Sequence, residues 1–289
     1  MKTVLSSLYH IRTWPRDLRA VSSILLGATL CLYSISRYFR FSNAIGSSVQ
    51  MFEAYIIVGS CAPFFLAVFL GSLLLVSDAP FITPLSRYEI VRMGRKNWLV
   101  SQVLYIILSC IFYSAIILFF CIIYSFIFCR VSLANSWSTA ITMLAEEQPT
   151  FAVKNFSISF PNPDYIHTVS PVSAVLLTLL FNSAYSSVLG LCILLFNLLT
   201  DQNWGWVFAA VLHIFGYIIY ANGGYFIPIK FSLFCCALPA HLFTPELNMS
   251  PFYAFIVFVF LGDILSISCK KAISPLRFHH LPRGVIGCY

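Results

Sequence analysis

Leu99–Phe128 reads LVSQVLYIILSCIFYSAIILFFCIIYSFIF, thirty residues without one charge. About 20 such residues are enough to cross the hydrocarbon of a bilayer, and a water-soluble domain has nowhere to bury them. The rest of the chain agrees. Of its 289 residues 60% are hydrophobic and 9% charged, 28 are Phe, and the mean hydropathy is +0.88. A soluble domain carries roughly 25% charged residues. A soluble globular protein is therefore excluded, and so is a disordered one, which needs low hydrophobicity and high net charge.

Outward from this stretch, six long apolar runs emerge, at about residues 20–36, 54–76, 99–128, 172–199, 204–221 and 252–268. The third and fourth exceed the hydrocarbon thickness and should tilt or project beyond it. Trp98, Trp204 and Trp206 stand at run ends, where aromatic belts belong. With six crossings, one side holds the N-terminus, the 77–98 loop, the 200–203 turn and the tail, and receives twelve of the 17 Lys and Arg. The other side holds Arg37, Arg40, Arg130, Lys154 and Lys230. The positive-inside rule places the richer side in the cytoplasm. The expected fold is all-α: a polytopic membrane protein with six transmembrane helices and both termini cytoplasmic, in one transmembrane domain over 1–289. The net charge of +7 thus reads as topology and contact with anionic membrane lipids rather than nucleic acid.

The first 19 residues are basic and broken at Pro15, and the run after them lacks a small-x-small cleavage site, so it reads as a retained span rather than a signal peptide. Within 1–19, Val4, Leu5, Leu8 and Ile11 against Arg12, Arg16 and Arg19 suit an interfacial amphipathic helix. Of the ten cysteines, Cys31, Cys61, Cys110, Cys121 and Cys192 lie in apolar runs, and no C-x-x-C occurs. Neither structural disulfides nor a zinc site is expected.

Two external connections stand out. Residues 129–171 contain Glu146, Glu147, Pro149, Pro161 and Pro163, with a short surface helix expected over 136–148. Residues 222–251 are apolar but broken by Gly223, Gly224, Pro228, Pro239 and Pro245. They fit either a segment that dips into the membrane and returns, or an apolar surface loop.

The cytoplasmic loop 77–98 carries the most information. Pro80 and Pro84 keep its start extended. Ser86-x-x-Glu89 is a capping-box pattern, predicting a short helix from Arg87 towards Lys96. Arg92, Arg95 and Lys96 would share one face, with Tyr88 and Val91 on an apolar one. Two readings fit: a lipid-facing basic loop, or a docking element for a cytoplasmic partner.

At this point the chain resembles a family, the membrane subunits of ABC-2-type ABC exporters from Gram-positive bacteria. The resemblance rests on layout: a basic amphipathic N-terminus, six spans, a capped helix between spans two and three, and a broken apolar segment before the last. It rests also on Asp78-Ala-Pro-Phe81, Arg92-Met-Gly-Arg95-Lys96-Asn-Trp98 with Gln102, Trp137 with Thr142-Met-Leu-Ala145, and Ser170-Pro171. It implies that Ser86, Arg87, Tyr88, Glu89, Val91, Arg92, Arg95 and Lys96 form a coupling helix in a cleft of a separate ATPase. It further implies two ATPases and two permeases, this chain paired with itself or with a homologous one, in a bacterial cytoplasmic membrane. The chain has no G-x-x-x-x-G-K-[ST], so ATP and Mg belong on the partner subunit and no enzyme activity of its own is expected.

Several polar residues fall inside spans. Thr178, Asn182, Ser186 and Gly190 recur at i+4, for helix packing or for a translocation path. Ser23, Gly27, Cys31 and Ser34 form a similar stripe. His213 is central in the fifth run, either neutral and bonded to a hydroxyl or carbonyl, or functional. Asp263 is expected near the cytoplasmic end of the last run, in an ion pair with the coupling loop or tail. The competing function is a secondary transporter or channel, which needs midplane coupling groups and usually an internal repeat. An intramembrane enzyme finds no H-E-x-x-H or G-x-S-x-G here. The substrate class stays open among peptide, lipid-like and drug-like molecules.

Overall fold

The computed structural model describes residues 2–81, 86–147, 149–160, 162–200, 202–223, 228–244 and 249–273. In chain order they form α1 (Lys2–Arg12), α2 (Leu18–Ala44), β1 (Val49–Gln50), α3 (Glu53–Ser60), α4 (Ala62–Leu75), α5 (Ser86–Met93) and α6 (Arg95–Phe128). There follow β2 (Val131–Ser132), α7 (Thr139–Thr142), α8 (Pro149–Phe156), α9 (Asp164–Thr168), α10 (Pro171–Thr200), α11 (Gly205–Ala221), α12 (Leu233–Cys236) and α13 (Pro251–Ile273). The two short strands pair in parallel, Val49 with Val131 and Gln50 with Ser132.

The fold is all-α. Four helices, α2, α6, α10 and α13, are long and apolar enough to cross a membrane, and α3 with α4 makes a fifth if the bent pair counts as one span. The fifth run folds as α11, whose 17 residues rise about 25 Å, slightly less than a hydrocarbon core.

The expectation of one straight helix over 54–76 is corrected. The run breaks after Ser60, and α3 and α4 meet at 91°. Pro63 has no N–H to give a preceding turn and its ring would strike the carbonyl four residues back. The chain therefore turns extended at Cys61 (φ −86°, ψ 115°) and restarts with Pro63 in the first turn of α4. All eight residues of α3 are buried. Broken helices are tolerated at membrane depth only when protein encloses them, as here.

Small residues let the helices close around this pair. Ser23 of α2 donates to the Gly71 carbonyl at 2.7 Å, and Tyr113 of α6 donates to the Val68 carbonyl at 2.7 Å. A Cβ at Gly27 or Gly71 would lie 2.1 or 2.2 Å from the Tyr113 hydroxyl. The stripe Ser23, Gly27, Cys31 and Ser34 is buried throughout. The Cys31 and Cys121 thiols approach to 3.2 Å, and both are free. Gly71→Ala is expected to destabilise the fold by about 2 kcal/mol, the usual cost of overpacking. Adding Tyr113→Phe should recover part of that loss, because the hydroxyl is the nearest obstacle. A double-mutant cycle on unfolding in mixed micelles measures the coupling, and additive losses would contradict it.

The two ends of the bundle differ. One gathers α1, the loop after α4, the start of α6 and the α10–α11 turn: Ser7 donates to the Ser101 carbonyl at 2.8 Å and Trp14 Nε1 to Tyr105 Oη at 2.9 Å. The other gathers β1, β2, α7 to α9 and the segment before α13, where Asn162 donates to the Ala240 carbonyl at 3.1 Å. The helix expected on the surface over 136–148 is instead α7 and a π-helical turn, with Ala140, Ile141 and Leu144 fully buried. Within 222–251 the described part holds α12 and two 3-10 stretches, and Phe234 packs its ring against Phe65 (5.2 Å) and His213 (5.4 Å). Trp204 and Trp206 are exposed, as a lipid-facing belt requires, but Trp98 is buried and belongs to the core.

Candidate functional site

The loop after α4 is latched at its start to three elements, α2, α6 and α10. Arg19, at the head of α2, forms ion pairs with Asp17 and with Asp78 of the loop, and its guanidinium lies 5.1 Å over the Phe81 ring. Asp17 also caps α2, accepting from the Arg19 N–H at 3.0 Å. The Phe81 N–H donates to Gln102 Oε1 at 3.0 Å, and the Phe81 ring meets Tyr105 edge-on at 4.5 Å. From α10, Asn197 Nδ2 donates to the Ala79 carbonyl at 2.5 Å and reaches that of Ser77 at 3.5 Å. Its Oδ1 accepts from the Gly205 N–H, at the start of α11, at 2.7 Å.

Beyond this latch, α5 presents Tyr88 and Val91 outward, 70% and 85% exposed. The expected helix through Lys96 is corrected at its end. Gly94, at φ 80° and ψ 152°, interrupts it, so Arg95 and Lys96 belong to the first turn of α6 while Arg92 lies in the last turn of α5. Such a backbone strains any residue with a Cβ. The common face of Arg92, Arg95 and Lys96 does not exist on one helix, although all three remain within five residues of the break. The expected capping box of Ser86 and Glu89, and the Arg87 side chain, lie outside the described residues.

The polar residues of α10 face protein. A Cβ at Gly59 of α3 would lie 2.3 Å from Thr178 Cγ2 and 2.5 Å from Asn182 Nδ2. Ser186 sits 3.5 Å from Ser72 of α4, and Gly190 admits Ile106 of α6. This stripe is the contact face between α10 and the bent pair. His213 is fully buried: Tyr185 Oη lies 2.8 Å from its Nδ1 and the Leu66 carbonyl 3.1 Å from its Nε2. A neutral ring protonated on Nε2 satisfies both, accepting from Tyr185 and donating to Leu66.

The ion pair expected for Asp263, with the coupling loop or the tail, falls partly outside the described residues. Helix α13 continues to Ile273, which puts Asp263 about 15 Å from its end and about 18 Å from its start. It sits mid-helix, about 10 Å before Lys270 and Lys271 of the last turn. Among the described residues it makes no ion pair, and it lines a groove with Ser183 and Ser187 of α10.

The residue missed in the sequence is Glu53. It is fully buried and accepts four hydrogen bonds: Tyr38 Oη, Ser138 Oγ and the Gln50 N–H on Oε2 at 2.7, 2.7 and 2.9 Å, and the Ser138 N–H on Oε1 at 2.7 Å. One carboxylate thus ties α2, β1, α3 and the cap of α7. Its signal was an acid flanked on both sides by apolar residues, Met51-Phe52 and Ala54-Tyr55, at the edge of a run where acids are ordinarily solvated. Comparison of the chain with family models, with curated proteins and with solved structures finds no match.

Proposed function

We propose that the chain is the permease subunit of an ATP-driven exporter of the ABC-2 type, with six spans and both termini in the cytoplasm. It would move a peptide, lipid-like or drug-like substrate by means of a separate ATPase dimer and a second permease copy. The observation that carries this reading is the latch. A displacement applied to α5 passes through Asp78, Ala79 and Phe81 to Arg19, Gln102 and Asn197, and so to α2, α6 and α10 together. The outward apolar pair Tyr88 and Val91, beside Arg92, Arg95, Lys96 and the positive end of α6, suits a partner cleft with an apolar floor and an acidic rim.

The test is purification of the chain from its native host in mild detergent. A P-loop ATPase and a second permease copy should accompany it, and replacement of Tyr88, Val91 and Arg92 by Glu should abolish ATPase recovery while leaving the permease monodisperse. An intact complex with full ATPase activity would refute the assignment. The depth of Asp263 favours a second reading, transport without an ATPase. Ion- or proton-driven flux in liposomes holding this chain alone would establish that one instead.

A further inference from the structure

Between α6, α10 and α13 runs a groove of ≈ 440 Å³, walled by Leu179, Phe255, Phe258 and Val259 and holding a single charged group, Asp263. A carboxylate at this depth in a lipid-facing helix is costly unless a cation or a hydrogen-bonding group compensates it. Among the described residues no Lys, Arg or His pairs with it. Ser183 also lines the groove; it is 5% exposed, and its Oγ is itself buried and makes no hydrogen bond. The neighbouring Ser187 Oγ is occupied, donating to the Ser183 carbonyl at 2.7 Å. Apart from Asp263, these two serines and Ser266, the lining is apolar. From Phe255 to Asp263 the slot runs about 12 Å along α13.

We infer that this groove binds a lipophilic ammonium ion, a cationic head on a single aliphatic chain. The head would donate to the Asp263 carboxylate, and the chain would lie along Phe258, Phe255 and Leu179. The charge pattern selects this occupant. A phospholipid would bring its phosphate against Asp263, and a fatty acid would place two carboxylates together. The site requires no ATPase, so it stands or falls independently of the exporter proposal.

The test uses the full chain in lipid nanodiscs and a photoreactive decylammonium probe. Labelling within residues 255–266 should be saturable and should be competed by decylammonium but not by decanol or decanoate. Asp263→Asn should weaken it at least tenfold. Gly262→Leu provides a second variant with the carboxylate retained. A Cβ there meets nothing within 4 Å, so the new side chain fills the groove without striking the core, and labelling should again fall at least tenfold. Undiminished labelling in either folded variant overturns the proposal. So does equal competition by decanol, or cysteine crosslinking that shows a second copy of α13 seated in the groove. Should Asp263→Asn fail to fold, Gly262→Leu decides alone.

Discussion

Glu53→Ala is expected to cost about 4 kcal/mol of stability, because it leaves several buried donors without an acceptor. Tyr38 Oη, Ser138 Oγ and the backbone N–H groups of Gln50 and Ser138 all point at this carboxylate. None of them is near solvent, since Tyr38 and Glu53 are fully buried and Gln50 nearly so. Each unsatisfied buried donor costs about 1–3 kcal/mol before relaxation. Glu53→Gln should cost less: its oxygen can serve the three donors on the Oε2 side, while its NH2 faces the Ser138 N–H donor to donor. Glu53→Asp should fall between them, one methylene short of both partners. Equilibrium unfolding in mixed micelles gives the ranking, with the monodisperse fraction in size exclusion as an independent readout. A Glu53→Ala protein as stable as the parent would mean that the carboxylate is dispensable and the four contacts carry no net energy.

How much of this was legible in the sequence follows from what each signal measures. Hydropathy reports transfer from water, so all six apolar runs reappear as helices, the 17-residue α11 included. Hydropathy does not report direction. The bend at Cys61 is set by Pro63 inside a run whose composition never changes, and an average over about 20 residues passes straight across it. Gly94 is the same lesson on a smaller scale. The i, i+3, i+4 spacing of Arg92, Arg95 and Lys96 implies one face only if the backbone stays helical between them, and one glycine at φ 80° removes that condition. The stripe Thr178, Asn182, Ser186 was legible as small and polar, and the structure adds its partner, Gly59 and the bent pair. Asp263 was placed by composition alone, and Glu53, just outside the run as read, was not weighed at all. The ends of helices were placed where apolar composition ends, whereas α2 runs on to Ala44 and α13 to Ile273. An acid's distance from the helix end decides whether it meets water, protein or lipid.

The two ends of the bundle are built to different rules. At one, a single buried carboxylate gathers β1, α3 and α7 through hydrogen bonds with no freedom to slide. At the other, the loop is held by many contacts of moderate strength: an ion pair that is partly solvent-exposed, a cation over a ring, and amide contacts to backbone carbonyls. Such contacts can be exchanged one for another at small cost, as a moving element needs. A fixed end opposite an adjustable end is the arrangement in which pushing the loop tilts the helices rather than disordering them.

Asn197→Ala is the substitution in which that argument meets its hardest test. The side chain is 4% exposed and bridges three separate pieces of chain: the carbonyls of Ala79 and Ser77, and the Gly205 N–H. Its removal loses the tie between the loop and α10 and leaves the start of α11 with one more unpartnered N–H, for about 2–3 kcal/mol in total. Asn197→Asp separates the two roles, since a carboxylate still accepts from Gly205 but opposes the carbonyls of Ala79 and Ser77. On the exporter reading, α5 and its exposed pair Tyr88 and Val91 are untouched in both variants, so the ATPase should still co-purify. What should fall, by tenfold or more, is transport per ATP hydrolysed, because the push from α5 no longer reaches α10. If both variants lose the ATPase altogether, the latch is part of the docking surface. If both keep transport fully coupled, α10 does not receive its motion through this loop, and the push from α5 reaches the spans through Arg19, Gln102 or the direct junction of α5 with α6 at Gly94.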